Sequence, residues 1–276
     1  MAFALPRPGP VLKVALILLA ATGLVGAIVF NWLPGGDAGA RPFVYLTCSA
    51  DRVWNHHEIW RLFTAGLLTK PGGQGAIGHL MMTLLGLYFL SPDLEKRWGG
   101  ARFAWFLVAS IVAGYALAVL VDLVAAPGLE AFHPALTYGA AAAISATAVA
   151  WSRENAETEV RLFFVLPVKG KYLFWFTVLY CLLGVLYSDT MPEGAVAPFG
   201  GILVGLLLGG SPSVVRSIYL QTKLAMLRKK AGGRLPSMHV SPKRPKPGSP
   251  PLRVVQGGLE EELKKRQPPK DKRYLN

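Results

Sequence analysis

Apolar residues along this chain gather into six long runs, roughly 11–33, 75–92, 102–125, 134–151, 171–188 and 195–210. A helix needs about 20 apolar residues to cross a hydrocarbon core, so each run predicts a membrane span or nearly one. The fourth and sixth are short and rich in Gly and Ala. Each is marginal against lipid, which predicts that both are buried among the other helices. The pattern therefore predicts an all-α, polytopic bundle of six transmembrane helices over 11–210. A short N-terminal segment (1–10) precedes it and a polar tail (211–276) follows. The first run, VALILLAATGLVGAIVF, is too long for the apolar region of a signal peptide and reads as a retained span.

Composition agrees with a membrane class: 52% of the 276 residues are hydrophobic and the mean hydropathy is +0.38. The net charge of +13 is unevenly placed. From Ser211 onward stand 16 of the 29 Lys and Arg against four of the 16 Asp and Glu, so the tail carries +12 of it. Basic residues also flank the start of span one and fill the connections between spans two and three and between four and five. The connections 126–133 and 189–194 have none. The positive-inside bias then sets both termini on the cytoplasmic side. Short loops and Ala/Gly-rich spans suit a bacterial inner membrane. With only Cys48 and Cys181, no structural disulfide is expected.

The connection 34–74 is the exception, since it faces outward yet holds Arg41, Arg52, Arg61 and Lys70. Within it, VWNHHEIWRLFTAGLL mixes aromatics, leucines and polar residues as an interfacial segment does, with Trp54 and Trp60 suited to an aromatic belt. In the tail, VVRSIYLQTKLAMLRKK (214–230) reads as a helix on anionic lipid, SPKRPKPGSPP as disordered, and LEEELKKR as a helical turn or two. Anionic lipid is the expected partner of this basic tail. It has few aromatics and no recognition motif for nucleic acid.

Small residues mark a close helix approach. Gly139, Ala140–Ala143 and Ala146 on span four face Gly201, Gly205 and Gly209 on span six, a small-xxx-small arrangement. Both spans run from outside to inside. Ala141, seven residues after Pro134, is placed about 10 Å into a helix, and Pro198 in a first helical turn where its missing N–H costs nothing.

These segments, in this order, resemble the rhomboid family of intramembrane serine proteases over about residues 10–212. The resemblance is carried by Trp60-Arg61 in the first outer loop, His79 in span two, Glu95-Lys-Arg-Trp-Gly99 at its cytoplasmic end, and Gly201-x-x-x-Gly205 on span six. It implies a six-helix rhomboid bundle and an ancestry in serine-type intramembrane proteolysis. The catalytic positions depart from the family. Where it has GASGAIFG this chain has GAAAAISA, so Ala141 stands at the nucleophile position. Where it has AHLGG this chain has Ala197-Pro198-Phe199-Gly200-Gly201, so Pro198 stands at the base position. The HxxxN segment ends in Thr83, a hydroxyl in place of the oxyanion-binding amide. Proteolysis needs an activated hydroxyl, an imidazole within reach and oxyanion donors. A methyl group and a proline ring supply neither of the first two.

The resemblance therefore implies a pseudoprotease, like the derlins and inactive rhomboids, which engage transmembrane segments of client proteins without cutting them. The alternative is a working endopeptidase with Ser145 as displaced nucleophile, one turn beyond Ala141, and His79 as its imidazole. Against it, Ser145 is expected to bond back to its own helix and His79 to a partner such as Thr83. His56-His57-Glu58 reads as interfacial polarity because adjacent histidines diverge on a helix. His133 reads as a loop residue, and His239 lies in the tail. Trp60, Arg61 and Glu95 are expected to anchor loop and helix ends. No metal or cofactor is expected.

Overall fold

The computed structural model describes residues 6–32, 37–124, 136–162, 166–187, 192–211 and 213–230. Eleven α-helices and one short 3-10 helix (Ala65–Leu67) fall within them. The α-helices are α1 (Pro10–Trp32), α2 (Asp37–Leu46), α3 (Ala50–Asn55), α4 (Arg61–Thr64), α5 (Ala76–Leu90), α6 (Pro92–Trp98), α7 (Gly100–Val124), α8 (Ala141–Glu154), α9 (Gly170–Leu186), α10 (Ala197–Leu208) and α11 (Val214–Lys230). Every apolar run of the sequence holds a helix, so the chain is predominantly helical as predicted. One departure is a two-stranded antiparallel hairpin between α8 and α9, with β1 (Glu159–Leu162) paired to β2 (Leu166–Lys169). It occupies the connection read from the sequence as a plain basic loop.

Among the described residues, length and composition alone single out two or three candidate spans. α1 and α7, at 23 and 25 residues, are long and apolar enough to cross a membrane, and α5 with α6 forms a third candidate bent by 42°. The bend falls at Ser91-Pro92, where Pro92 starts α6 and cannot continue the hydrogen-bonding of α5. α8, α9 and α10 have 14, 17 and 12 residues. At 1.5 Å per residue α10 is only about 18 Å long.

α8 and α10 sit where the sequence put them, inside. α8 is buried along nearly its whole length, packed against α5, α7, α9 and α10, and α10 packs mainly on α7 and α8. The first compact unit of the chain ends at Lys223. Of the remainder, only Leu224–Lys230 is described, and it is helical. The predicted disordered segment, LEEELKKR, His133 and His239 lie outside the described residues.

Polar side chains tie off the helix ends at the face where α1 begins. Both oxygens of Glu95, itself 4% exposed, accept the Val11 and Leu12 N–H groups at the start of α1. Arg102 donates to the Leu208 and Gly210 carbonyls and Arg153 to those of Leu206 and Gly209, so two cations satisfy the carbonyl end of α10. Trp98 and Arg97 both reach Glu154 at the end of α8. Gly99 adopts φ +81° between α6 and α7, a conformation that favours glycine.

Candidate functional site

The segment before α8 is not helical, and that relocates the candidate residues. Cys48 and Thr137 form an antiparallel bridge, with N–H···O distances of 2.8 and 2.9 Å. The Gly139 N–H donates to the Ala65 carbonyl, and the buried Tyr115 hydroxyl donates to the Gly139 carbonyl at 2.7 Å. Gly139 has φ +131°, so the chain turns there. As a result Ala141 is the first residue of α8 and not two turns into it, as the spacing from Pro134 predicted. Long-range pairing of Thr137 with Cys48 and of Gly139 with Ala65 prevails over the apolar character of this segment.

Across from this start lies the N-terminus of α10. Pro198 sits in its first turn, as predicted, and is fully buried. A Cβ on Gly201 would collide with the Ala142 carbonyl oxygen, and one on Gly205 would lie 2.8 Å from that of Ala146. The predicted small-residue contact between spans four and six is therefore present, backbone against backbone. Ala141 is partly exposed and Thr83 is buried on α5.

The polar centre of this region is a residue the sequence reading passed over. Glu193, in the turn that leads into α10, accepts a hydrogen bond from His79 Nε2 at 2.9 Å. The other ring nitrogen, Nδ1, accepts the Lys70 N–H at 3.3 Å. The expectation that His79 bonds a partner such as Thr83 is thus corrected, because Glu193 offers a stronger acceptor. A Cβ on Gly139 would lie 2.5 Å from Glu193 Cγ and 2.6 Å from Oε1, so the carboxylate fills space that only glycine leaves. The Tyr138 N–H holds the same turn through the Pro192 carbonyl. The sequence signal for Glu193 was an acidic residue in a connection with no Lys or Arg, just ahead of an apolar helix.

Ser145 is 5% exposed and its hydroxyl lies 3.8 Å from the Cys181 thiol on α9. That corrects the expectation of a bond back to its own helix. No Ser145–His79 hydrogen bond exists, and both His79 nitrogens are engaged elsewhere. The site thus holds an imidazole and a carboxylate, with no hydroxyl bonded to either among the described residues.

The WR element works at a distance from this centre. Arg61, 4% exposed, donates through Nη1 to the Val44 and Thr47 carbonyls at 2.7 Å each, pairs through Nε with Glu58, and lies over the Tyr45 ring. Trp60 also rests on Tyr45 and is 43% exposed, so the pair divides into a buried clamp and an outward ring. Burial pushes the nearby Cys48 thiol up to about 11, although a hydrogen bond to Thr137 and the Arg61 charge oppose it. His56 is exposed and 3.8 Å from Asp51, in keeping with interfacial polarity.

A buried short helix gripped by a second glycine-rich helix, beside a loop segment with a WR clamp, defines an integral membrane protein of a specific class. The Rhomboid domain matches residues 56–211, and the chain belongs to the rhomboid family. Its sequence is similar to Derlin-1.2 of Zea mays, 27% identical over 157 residues, and to Derlin-1.1 of the same plant, 24% identical over 156. Each match covers 56% of this chain and 56% of the relative, so the chain spans little more than half the length of these relatives.

Proposed function

We propose that this rhomboid-family member is a pseudoprotease that binds transmembrane segments of client membrane proteins without cleaving them. The observation that carries this reading is the chemistry around the start of α8. Ala141 and Pro198, which the family resemblance sets at the nucleophile and base positions, flank a contact whose one imidazole is held by Glu193. Similarity to two derlins supports the same reading. Ser145 faces Cys181 within the bundle, and no base is bonded to it among the described residues.

Six spans, with α8, α9 and α10 as short ones, and both termini cytoplasmic complete the proposal. The placement in a bacterial inner membrane rests on loop length and composition alone, since the relatives above come from a plant. Helices shorter than the hydrocarbon core favour local thinning, which eases entry of a client helix. The basic tail is assigned to anionic lipid.

The test is fluorophosphonate labelling of the detergent-purified protein beside Ser145→Ala and an active rhomboid protease, followed by photo-crosslinking in membranes. The expected result is no labelling and several crosslinked membrane proteins. Labelling abolished by Ser145→Ala would establish an activated serine and overturn the reading. A single stoichiometric crosslinked neighbour would replace the client binder with a structural subunit.

A further inference from the structure

Glu193 is a carboxylate at 7% exposure whose only ion-pair partner among the described residues is His79. The hydrogen bonds settle what that partner contributes. Nδ1 of His79 accepts the Lys70 N–H, so the ring proton resides on Nε2 and is donated to Glu193. The imidazole is then neutral, and the pair as a whole carries one negative charge. Lys70 directs its ammonium to the Gln74 carbonyl and forms no ion pair with Glu193. The start of α8, two residues beyond Gly139, offers only a partial positive charge. A buried carboxylate with no cationic side chain paired to it is costly.

The backbone around that carboxylate is also fixed. Gly139 leaves the space for it, Tyr138 anchors its turn through Pro192, and Tyr115 fixes the Gly139 carbonyl behind it. We propose that Glu193 is the binding point for a basic side chain, Lys or Arg, within a client's transmembrane segment. This rests on the client-binding reading above and adds the chemistry that the site selects. Lys and Arg stems are long enough to bring a cation inward from a lipid-embedded helix.

The test uses the full chain in nanodiscs and fluorescent single-span Leu/Ala peptides. One series carries Lys at successive outer-half positions, a second carries Glu at the same positions, and the host peptide has Leu throughout. The best Lys peptide should bind about tenfold or more tighter than the host, and no Glu peptide tighter than the host. Glu193→Gln should bring the Lys peptides to the level of the host, and Glu193→Asp should keep the preference. Equal binding of Lys and host peptides would overturn the inference and leave client binding standing. A Lys preference that survives Glu193→Gln would also overturn it. Failure of every peptide to bind would remove the client-binding reading and this inference with it. The Lys, Glu and host ranking on the unaltered protein decides the matter even if a variant misfolds.

Discussion

Glu95 caps α1 from 84 positions away: its two oxygens accept the N–H groups of Val11 and Leu12 at 2.9 and 3.1 Å. The first turn of a helix has donors with no intrahelical acceptor, and a carboxylate there also meets the positive end of the helix dipole. Glu95→Ala removes both acceptors and should cost about 2 kcal/mol, with Glu95→Gln costing less. A Cβ on Gly9 would collide with the same carboxyl group, so Gly9→Ala should mimic Glu95→Ala. Thermal unfolding in detergent compares the three. Equal midpoints for Glu95→Ala and the unaltered protein would show that the cap contributes nothing.

The α8–α10 contact predicts a sharp contrast between two glycines. At Gly201 an added methyl meets the Ala142 carbonyl, which belongs to backbone and cannot rotate away; at Gly78 it meets nothing within 4 Å. Gly201→Ala should destabilise by roughly 2–4 kcal/mol through forced separation of the helices. Gly78→Ala should be neutral or slightly stabilising because alanine favours the helix. Retention of folded protein on size exclusion after graded heating separates the two.

These two contacts mark what was readable in the sequence. The apolar runs and the Gly/Ala pattern located the helices and the close approach, because both follow from local composition. Helix ends were less legible. α8 begins at Ala141 because Thr137 pairs with Cys48, 89 positions away, and Gly139 turns the chain. The hairpin was hidden because β2 contains Pro167 and each strand has four residues. Glu193 took its meaning from His79, 114 positions earlier, and no local pattern connects them.

Arg61 should tolerate no conservative replacement. Its guanidinium reaches two backbone carbonyls and Glu58 at once, from a buried position over Tyr45. A lysine ammonium keeps the charge and lacks the planar fork. Arg61→Lys should cost about 3 kcal/mol, and Arg61→Ala at least as much because Glu58 is left without its partner. Limited proteolysis within 37–64 should speed up in both variants while the rest of the bundle holds. Unchanged cleavage there would mean that the loop is pinned by other contacts.

Cys48 makes stability depend on alkaline pH in a calculable direction. Its thiol is raised from 9.0 to about 11 in the folded protein, chiefly by burial. Below pH 9 both folded and unfolded chains keep the proton, and the contribution is complete. Between 9 and 11 the unfolded chain gives up the proton while the folded one retains it, so rising pH favours unfolding. The loss approaches roughly 3 kcal/mol by the end of that window, at about 1.4 kcal/mol for each pH step. Lysines and tyrosines titrate there as well, so the relevant quantity is the difference between the unaltered protein and Cys48→Ala. That difference in unfolding midpoint should be flat from pH 7 to 9. It should then change in favour of the variant up to about 11. A difference independent of pH would mean that the thiol titrates alike in both states and that the Cys48–Thr137 bridge opens to solvent.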